Sequence, residues 1–160
     1  MPESFKRWGW LVVTIIILDQ LTKLLADNYL NYHQPVPVIP MFNFTLVYNP
    51  GAAFSFLSDA GGWQRWFFIV LSSVISAVLF IWLLKLKPEQ KLQVTSIAMI
   101  LGGAIGNLID RSIYGHVIDF IYVYYQHHHW PAFNIADSAI SVGAILLIID
   151  SFKNRHENND

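Results

Sequence analysis

Apolar residues along this chain gather into four long blocks, at about Trp8 to Ala26, Trp66 to Leu84, Leu92 to Ile109, and Ile135 to Ile149 with its flanks. A helix crosses the roughly 30 Å hydrocarbon core of a bilayer with about 20 mainly apolar residues, in a range of about 17 to 25. Each block is close to that length, the fourth being the shortest. Lipid offers no partner to a bare backbone amide, so the blocks must be helices unless the chain is a barrel, and they lack a barrel strand's alternation. The pattern predicts spans over about 8–27, 66–85, 92–112 and 134–152, with outer loops 28–65 and 113–133, in a single domain 1–160.

The long first loop has its own pattern. Pro35, Pro37 and Pro40 block a helix there. From Phe42 to Tyr48 apolar residues recur at every second position, which predicts a strand with one apolar face. Asn49-Pro50-Gly51 then makes a turn, and Ala52 to Leu57 continues apolar. A short sheet at the membrane surface with an amphipathic interfacial segment follows, because exposed sheet edges do not occur within hydrocarbon. Trp63, Trp66, Phe67 and Phe68, with Tyr114, Tyr122, Tyr124, Tyr125 and Trp130, form an aromatic belt at the outer interface. Gly102, Gly103, Ala104 and Gly106 give the third helix a small-residue face suited to close helix packing.

Composition agrees with this picture. Of 160 residues 54% are hydrophobic and 13% charged, where a soluble domain carries about 25% charged residues. The net charge of -1 and the absence of a basic stripe argue against a nucleic-acid partner. Without cysteine there is no disulfide, thiolate metal site or thiol nucleophile. Lys6 and Arg7 precede the first helix, Lys85, Lys87 and Lys91 fill the second link, and Lys153 and Arg155 follow the fourth helix. The positive-inside rule then places both termini and that link in the cytoplasm, and both long loops outside. The first block, lacking a small-residue cleavage site and interrupted by Asp19 and Gln20, reads as a retained helix rather than a signal peptide.

Against this apolar background the polar residues need a reason, since an ionisable group in a membrane is costly unless paired, hydrated or functional. Asp19 and Lys23 lie four apart on one helix face, either as a self-neutralising ion pair or as a brace pointing into the bundle. Asn107, Asp110 and Arg111 cluster at the outer end of the third helix, as an exposed terminus or as an electrostatic brace. Asn49 is a turn former or a site residue. His127, His128 and His129 are consecutive and point in different directions, so a solvated loop is favoured over a metal site.

Asp119 follows the third helix and Asp137 begins the fourth, at one depth near the outer surface. A carboxylate pair can hydrolyse a peptide bond, one acid ionised as base for water and the other protonated against the carbonyl. Two rival classes use the same acids differently. A transporter would line an ion path with Asp19, Asp110, Asp119 and Asp137, but no internal repeat is visible. A noncatalytic scaffold built on the glycine face leaves the acids unexplained.

Five blocks carry a resemblance. Asp19-Gln20-Leu21-Thr22-Lys23, the run Asn49 to Phe56, the run Gly103 to Arg111, Gly115-His116-Val117-Ile118-Asp119-Phe120 and Phe133-Asn134-Ile135-Ala136-Asp137-Ser138 together resemble the signature of the lipoprotein signal peptidases, or signal peptidase II. The likeness spans nearly the whole chain in order. It implies an all-α membrane protein, a bundle of four transmembrane helices with a small extracytoplasmic β-sheet cradle and a mobile interfacial helix within about Phe42 to Gly62. It further implies an aspartyl endopeptidase of the bacterial cytoplasmic (inner) membrane that cleaves prolipoproteins before a diacylglyceryl-modified cysteine, contacts membrane lipids and is inhibited by globomycin. On that resemblance Asp119 and Asp137 are the catalytic dyad. Asp19, Lys23, Asn49, Asn107, Arg111 and Asn134 match the polar residues that brace it, and Gly51 falls in the outer loop motif. No metal or organic cofactor is implied.

Overall fold

A computed structural model describes residues 3–51, 61–87 and 89–157. Four helices carry the chain: α1 (Glu3–Tyr29), α2 (Trp63–Lys85), α3 (Lys91–Ile113) and α4 (Ile135–Glu157). Each contains a stretch long and apolar enough to cross a membrane. Most helix ends run past those expected from hydropathy, α1 by five residues at its start, while α2 ends at Lys85 as expected and α4 begins one residue later, at Ile135; hydropathy marks the apolar core of a helix and not its polar turns. The expected interfacial helix falls mostly on 52–60, outside the described residues.

Burial is inverted relative to a soluble bundle. On α1, Asp19 and Lys23 are 0% and 1% exposed while Leu21 is 53% exposed, so polar groups face the bundle and apolar ones face lipid. Helix α3 is the hub and packs against the other three helices. Away from the sheet the core is apolar, with Leu83 of α2 and Val94, Ile97 and Leu101 of α3 fully buried and Val12 of α1 packed among them.

Near the sheet the packing depends on the glycines of α3. A methyl added at Gly102 would sit 3.0 Å from Ile15 Cβ, one at Gly106 would sit 2.5 Å from Asp19 Oδ2, and one at Gly103 would collide with the carbonyl oxygen of Ala136 on α4. The small-residue face therefore serves packing within this chain, with α1 on one side and α4 on the other. A backbone carbonyl cannot swing away, so Gly103→Ala is expected to lower stability by about 1–3 kcal/mol. Thermal unfolding in detergent against the parent reads this directly.

The connections on one end build a four-stranded antiparallel sheet in the order β1 (Val36–Ile39), β2 (Phe42–Asn49), β3 (Val117–Tyr125) and β4 (His128–His129). Strand β2 matches the alternation seen in the sequence. The stretch 113–133, expected as a loop, instead holds β3 and β4. Residues Val117 to Tyr125 are β-branched or aromatic except Asp119 and form a strand once β2 offers an edge, with Val47 opposite Asp119 and Asn49 opposite Val117. Pro37 is accommodated because β1 is an edge strand, where a missing N–H is tolerated. The link carrying Lys85, Lys87 and Lys91 lies at the opposite end of the bundle.

Candidate active site

Three elements deliver the two aspartates to one place. Asn134 precedes α4 and accepts the Asp137 backbone N–H at 2.9 Å through Oδ1. Asp137 Oδ2 in turn accepts the Asn134 N–H at 3.2 Å. This reciprocal pair is a capping box, so the same contacts that start α4 also fix the Asp137 carboxyl. Asn134 Nδ2 donates to Asp119 Oδ1 at 2.7 Å. One asparagine thus holds both acids, and Asn134 is fully buried.

The remaining carboxyl oxygens are also held. Asn49 Nδ2 donates to Asp119 Oδ2 at 3.1 Å, while Asn49 Oδ1 accepts the Gly51 N–H at 3.0 Å. The two readings of Asn49 are therefore both realised, since the residue closes a turn and reaches the site. Asn107 Nδ2 donates to Asp137 Oδ1 at 2.8 Å. Lys23 Nζ donates to Asn107 Oδ1 at 2.9 Å, which turns the amide's donor end toward Asp137.

Lys23 is the centre of a buried network beneath the two aspartates. Its ammonium lies 2.8 Å from Asp19 Oδ2 and 2.9 Å from Asp110 Oδ2. Asp19 Oδ1 accepts the Ala136 N–H at 2.9 Å, in the first turn of α4. Asp110 Oδ2 accepts the Ile118 N–H at 3.1 Å, next to Asp119 on β3, and Asp110 Oδ1 takes Gln20 Nε2 at 2.8 Å. The pair within α1 is thus an ion pair and a brace at once. It ties α1 and α3 to the two backbone segments that carry Asp119 and Asp137. Sequence reasoning did not count Gln20 or Asp110 among the site residues. Their signal was position, one beside Asp19 and the other one helical turn from Asn107.

Arg111 closes the other side. One guanidinium nitrogen donates to Gly51 O at 2.8 Å, which holds the turn carrying Asn49, and the guanidinium carbon lies 5.3 Å from the centroid of Phe68. Arg65 Nε and NH2 donate to the Arg111 and Ser112 carbonyls at 3.2 and 2.8 Å, so a cation from α2 caps the end of α3.

Asp119 and Asp137 line the floor of a groove of about 1150 Å³, with Arg111 and Asn107 beside them. Asp19 and Asp110 do not line it and are instead bound to Lys23, which removes the arrangement an ion path would need. Burial, with the nearby Asp137 charge next in weight, pushes the Asp119 carboxyl from its ordinary 3.8 up to about 7, against the lowering effect of Asn49, Lys23 and Asn134. A carboxyl of that kind keeps its proton at near-neutral pH and can donate it. The histidine tract is not part of this floor. His128 and His129 are exposed, and His129 Nδ1 pairs with the Tyr122 hydroxyl at 2.8 Å.

Comparison with known proteins points one way. The sequence model described as Signal peptidase (SPase) II matches residues 11–153. A lipoprotein signal peptidase of Acinetobacter baumannii is 57% identical over 156 residues, covering 96% of this chain and 89% of that protein. One of Pseudomonas putida is 51% identical over 150 residues, covering 92% and 88%. A bacterial membrane enzyme solved by the in meso method at 2.3 Å resolution superposes with a TM-score of 0.85 at 32% identity, covering 94% of this chain and 90% of that one.

Proposed function

Because this chain belongs to the signal peptidase II family, we propose that Asp119 and Asp137 act together as the catalytic pair of a membrane aspartyl endopeptidase. The chain is a lipoprotein signal peptidase by kinship and a multi-pass membrane protein by its four helices. Its substrate is a prolipoprotein whose cysteine carries diacylglycerol, and the bond cut precedes that cysteine. The observation that carries the reading is the single buried Asn134 holding both acids on a groove floor.

Each step has a residue in place. Asp137, ionised, takes a proton from water, and the hydroxide formed attacks the scissile carbonyl carbon. Asp119, protonated, hydrogen-bonds the carbonyl oxygen and stabilises the tetrahedral species. Collapse breaks the C–N bond, and the proton held by Asp137 passes to the leaving amine of the lipidated cysteine. Asn49, Asn107 and Asn134 hold the two carboxyls in register, Asp19 and Lys23 fix the elements beneath them, and Arg111 with Gly51 shapes the outer rim. The dyad end of the bundle faces outward and the end with Lys85, Lys87 and Lys91 faces the cytoplasm, which puts both termini on the cytoplasmic side of the inner membrane. Membrane lipids and globomycin-type inhibitors meet the protein at this groove, where a peptide inhibitor would occlude the dyad.

The test is cleavage by the purified protein in lipid of a precursor with and without the diacylglyceryl group. Cutting before the cysteine of the lipidated form alone supports the proposal. Equal cutting of both forms, or cutting elsewhere, refutes it.

The pH dependence follows from Asp119. The mechanism needs its proton, so turnover is expected to fall as pH rises through about 7. The linkage has the same sign. The folded-state value lies above the unfolded one, so the stabilising contribution is complete below about 3.8 and is lost as pH rises to about 7. A pH profile of kcat/KM that kept rising as pH passed through about 7 and beyond would contradict the assignment.

A further inference from the structure

The groove extends beyond the dyad along α4, where Ser138, Ile140, Ser141 and Val142 line it. These residues lie inside the apolar span Ile135–Lys153. Ser141 follows Asp137 by four residues and leaves α4 on the same face, about 6 Å further along the helix into the bilayer. Serines in apolar helices commonly donate to the carbonyl one turn back. Ser138 does so, to Asn134 O at 2.9 Å. Ser141 has no such bond: its side chain is exposed, and among the described residues no acceptor takes its hydroxyl. The next turns on this face offer only Val142 and Ile145, both exposed and apolar.

One hydroxyl left unbonded in a mostly apolar arm, one turn below the proposed catalytic acid, is the arrangement by which such a pocket fixes a ligand's orientation. Resting on the assignment of Asp119 and Asp137 as the dyad, we propose that Ser141 is a specificity residue whose Oγ–H donates to a carbonyl oxygen of the substrate on the membrane side of the scissile bond. In hydrocarbon that donor has no water to fall back on, so an acceptor lacking a donor of its own suits it. Two such acceptors lie there: an ester carbonyl of the diacylglyceryl group, and a peptide carbonyl in the residues before the cysteine. Both are carbonyl oxygens, and the chemistry of recognition is the same.

Two lipopeptides of one sequence distinguish them, one ester-linked and one with ether-linked alkyl chains. Each is assayed in lipid with the parent protein, Ser141→Ala and Ser141→Thr. Ser73→Ala, which removes an exposed hydroxyl of α2 outside the groove, serves as control. Losing one hydrogen bond should raise KM for the ester substrate by roughly threefold to tenfold in Ser141→Ala, with kcat little changed and the thermal midpoint kept. Ser141→Thr should restore it. If the ether substrate shows no difference between parent and Ser141→Ala, the ester carbonyl is the acceptor. If the same loss appears with both substrates, the acceptor is the peptide carbonyl. Unchanged KM with both, or a defect confined to kcat, overturns the proposal. Failure of the parent itself to cleave the ester substrate would instead refute the dyad assignment, so the two failures are separable.

Discussion

Asp119→Asn and Asp137→Asn are each expected to abolish cleavage of a lipidated precursor, by about four orders of magnitude or more, while the protein inserts and folds. On the proposed mechanism the two acids act as one unit, so either loss should cost about as much as both. Asparagine is close to aspartate in shape and keeps one acceptor oxygen. At position 137 that oxygen can still take a bond from Asn107 or Asn134. At position 119 one of the contacts from Asn49 and Asn134 is forfeited, a net cost of about 0.5–1.5 kcal/mol. Against that, Asp119→Asn removes a buried carboxyl that must ionise above about 7, so this variant should unfold no earlier than the parent at alkaline pH. Single-turnover cleavage and thermal unfolding in the same detergent separate lost chemistry from lost fold. A variant with near-parental turnover would remove its residue from the dyad.

Lys23→Met should be the most destabilising single change in the polar network. The ammonium makes three contacts of 2.8 to 2.9 Å with Asp19, Asp110 and Asn107, and the side chain is 1% exposed. Methionine fills much of the space but leaves two buried carboxylates without a cation. Breaking a buried ion pair from one side costs about 3–5 kcal/mol. The damage also spreads to the site, because Asp19 and Asp110 hold the backbone at Ala136 and Ile118. Activity should fall with stability, and adding Asp110→Asn should recover part of the stability by removing one stranded charge. An unaltered thermal midpoint in Lys23→Met would show that the network contributes nothing to the fold.

The spans were readable because lipid imposes one strong rule, a run of apolar residues near a fixed length, and all four obey it. The sheet was only half readable. Phe42 to Tyr48 announces a strand by alternation, whereas Val117 to Tyr125 is apolar on both faces at its start and places Asp119 where a strand assignment is least inviting. Its strand character comes from pairing with β2 and from Asp110 gripping the Ile118 amide, both contacts between residues far apart in sequence or on different elements. The side chains that gather around Asp119 and Asp137 were legible through the signature blocks, but their pairings were not. Spacing alone left Asp19 and Lys23 between ion pair and brace, and Asn49 between turn and site. Each proved to be both, because these side chains find their partners on neighbouring elements, Asp19 on α4, Lys23 on α3 and Asn49 on β3.

The most direct measurement is the titration of the Asp119 carboxyl, followed by infrared spectroscopy on isotope-labelled protein in lipid, in the parent and in Asp137→Asn. In the parent the carboxyl should stay protonated through mildly acidic pH and ionise near 7, and in Asp137→Asn its midpoint should move down, because one neighbouring negative charge is gone. A parent midpoint at the ordinary carboxylate value, or one indifferent to the loss of the Asp137 charge, would mean that the two acids do not act on each other.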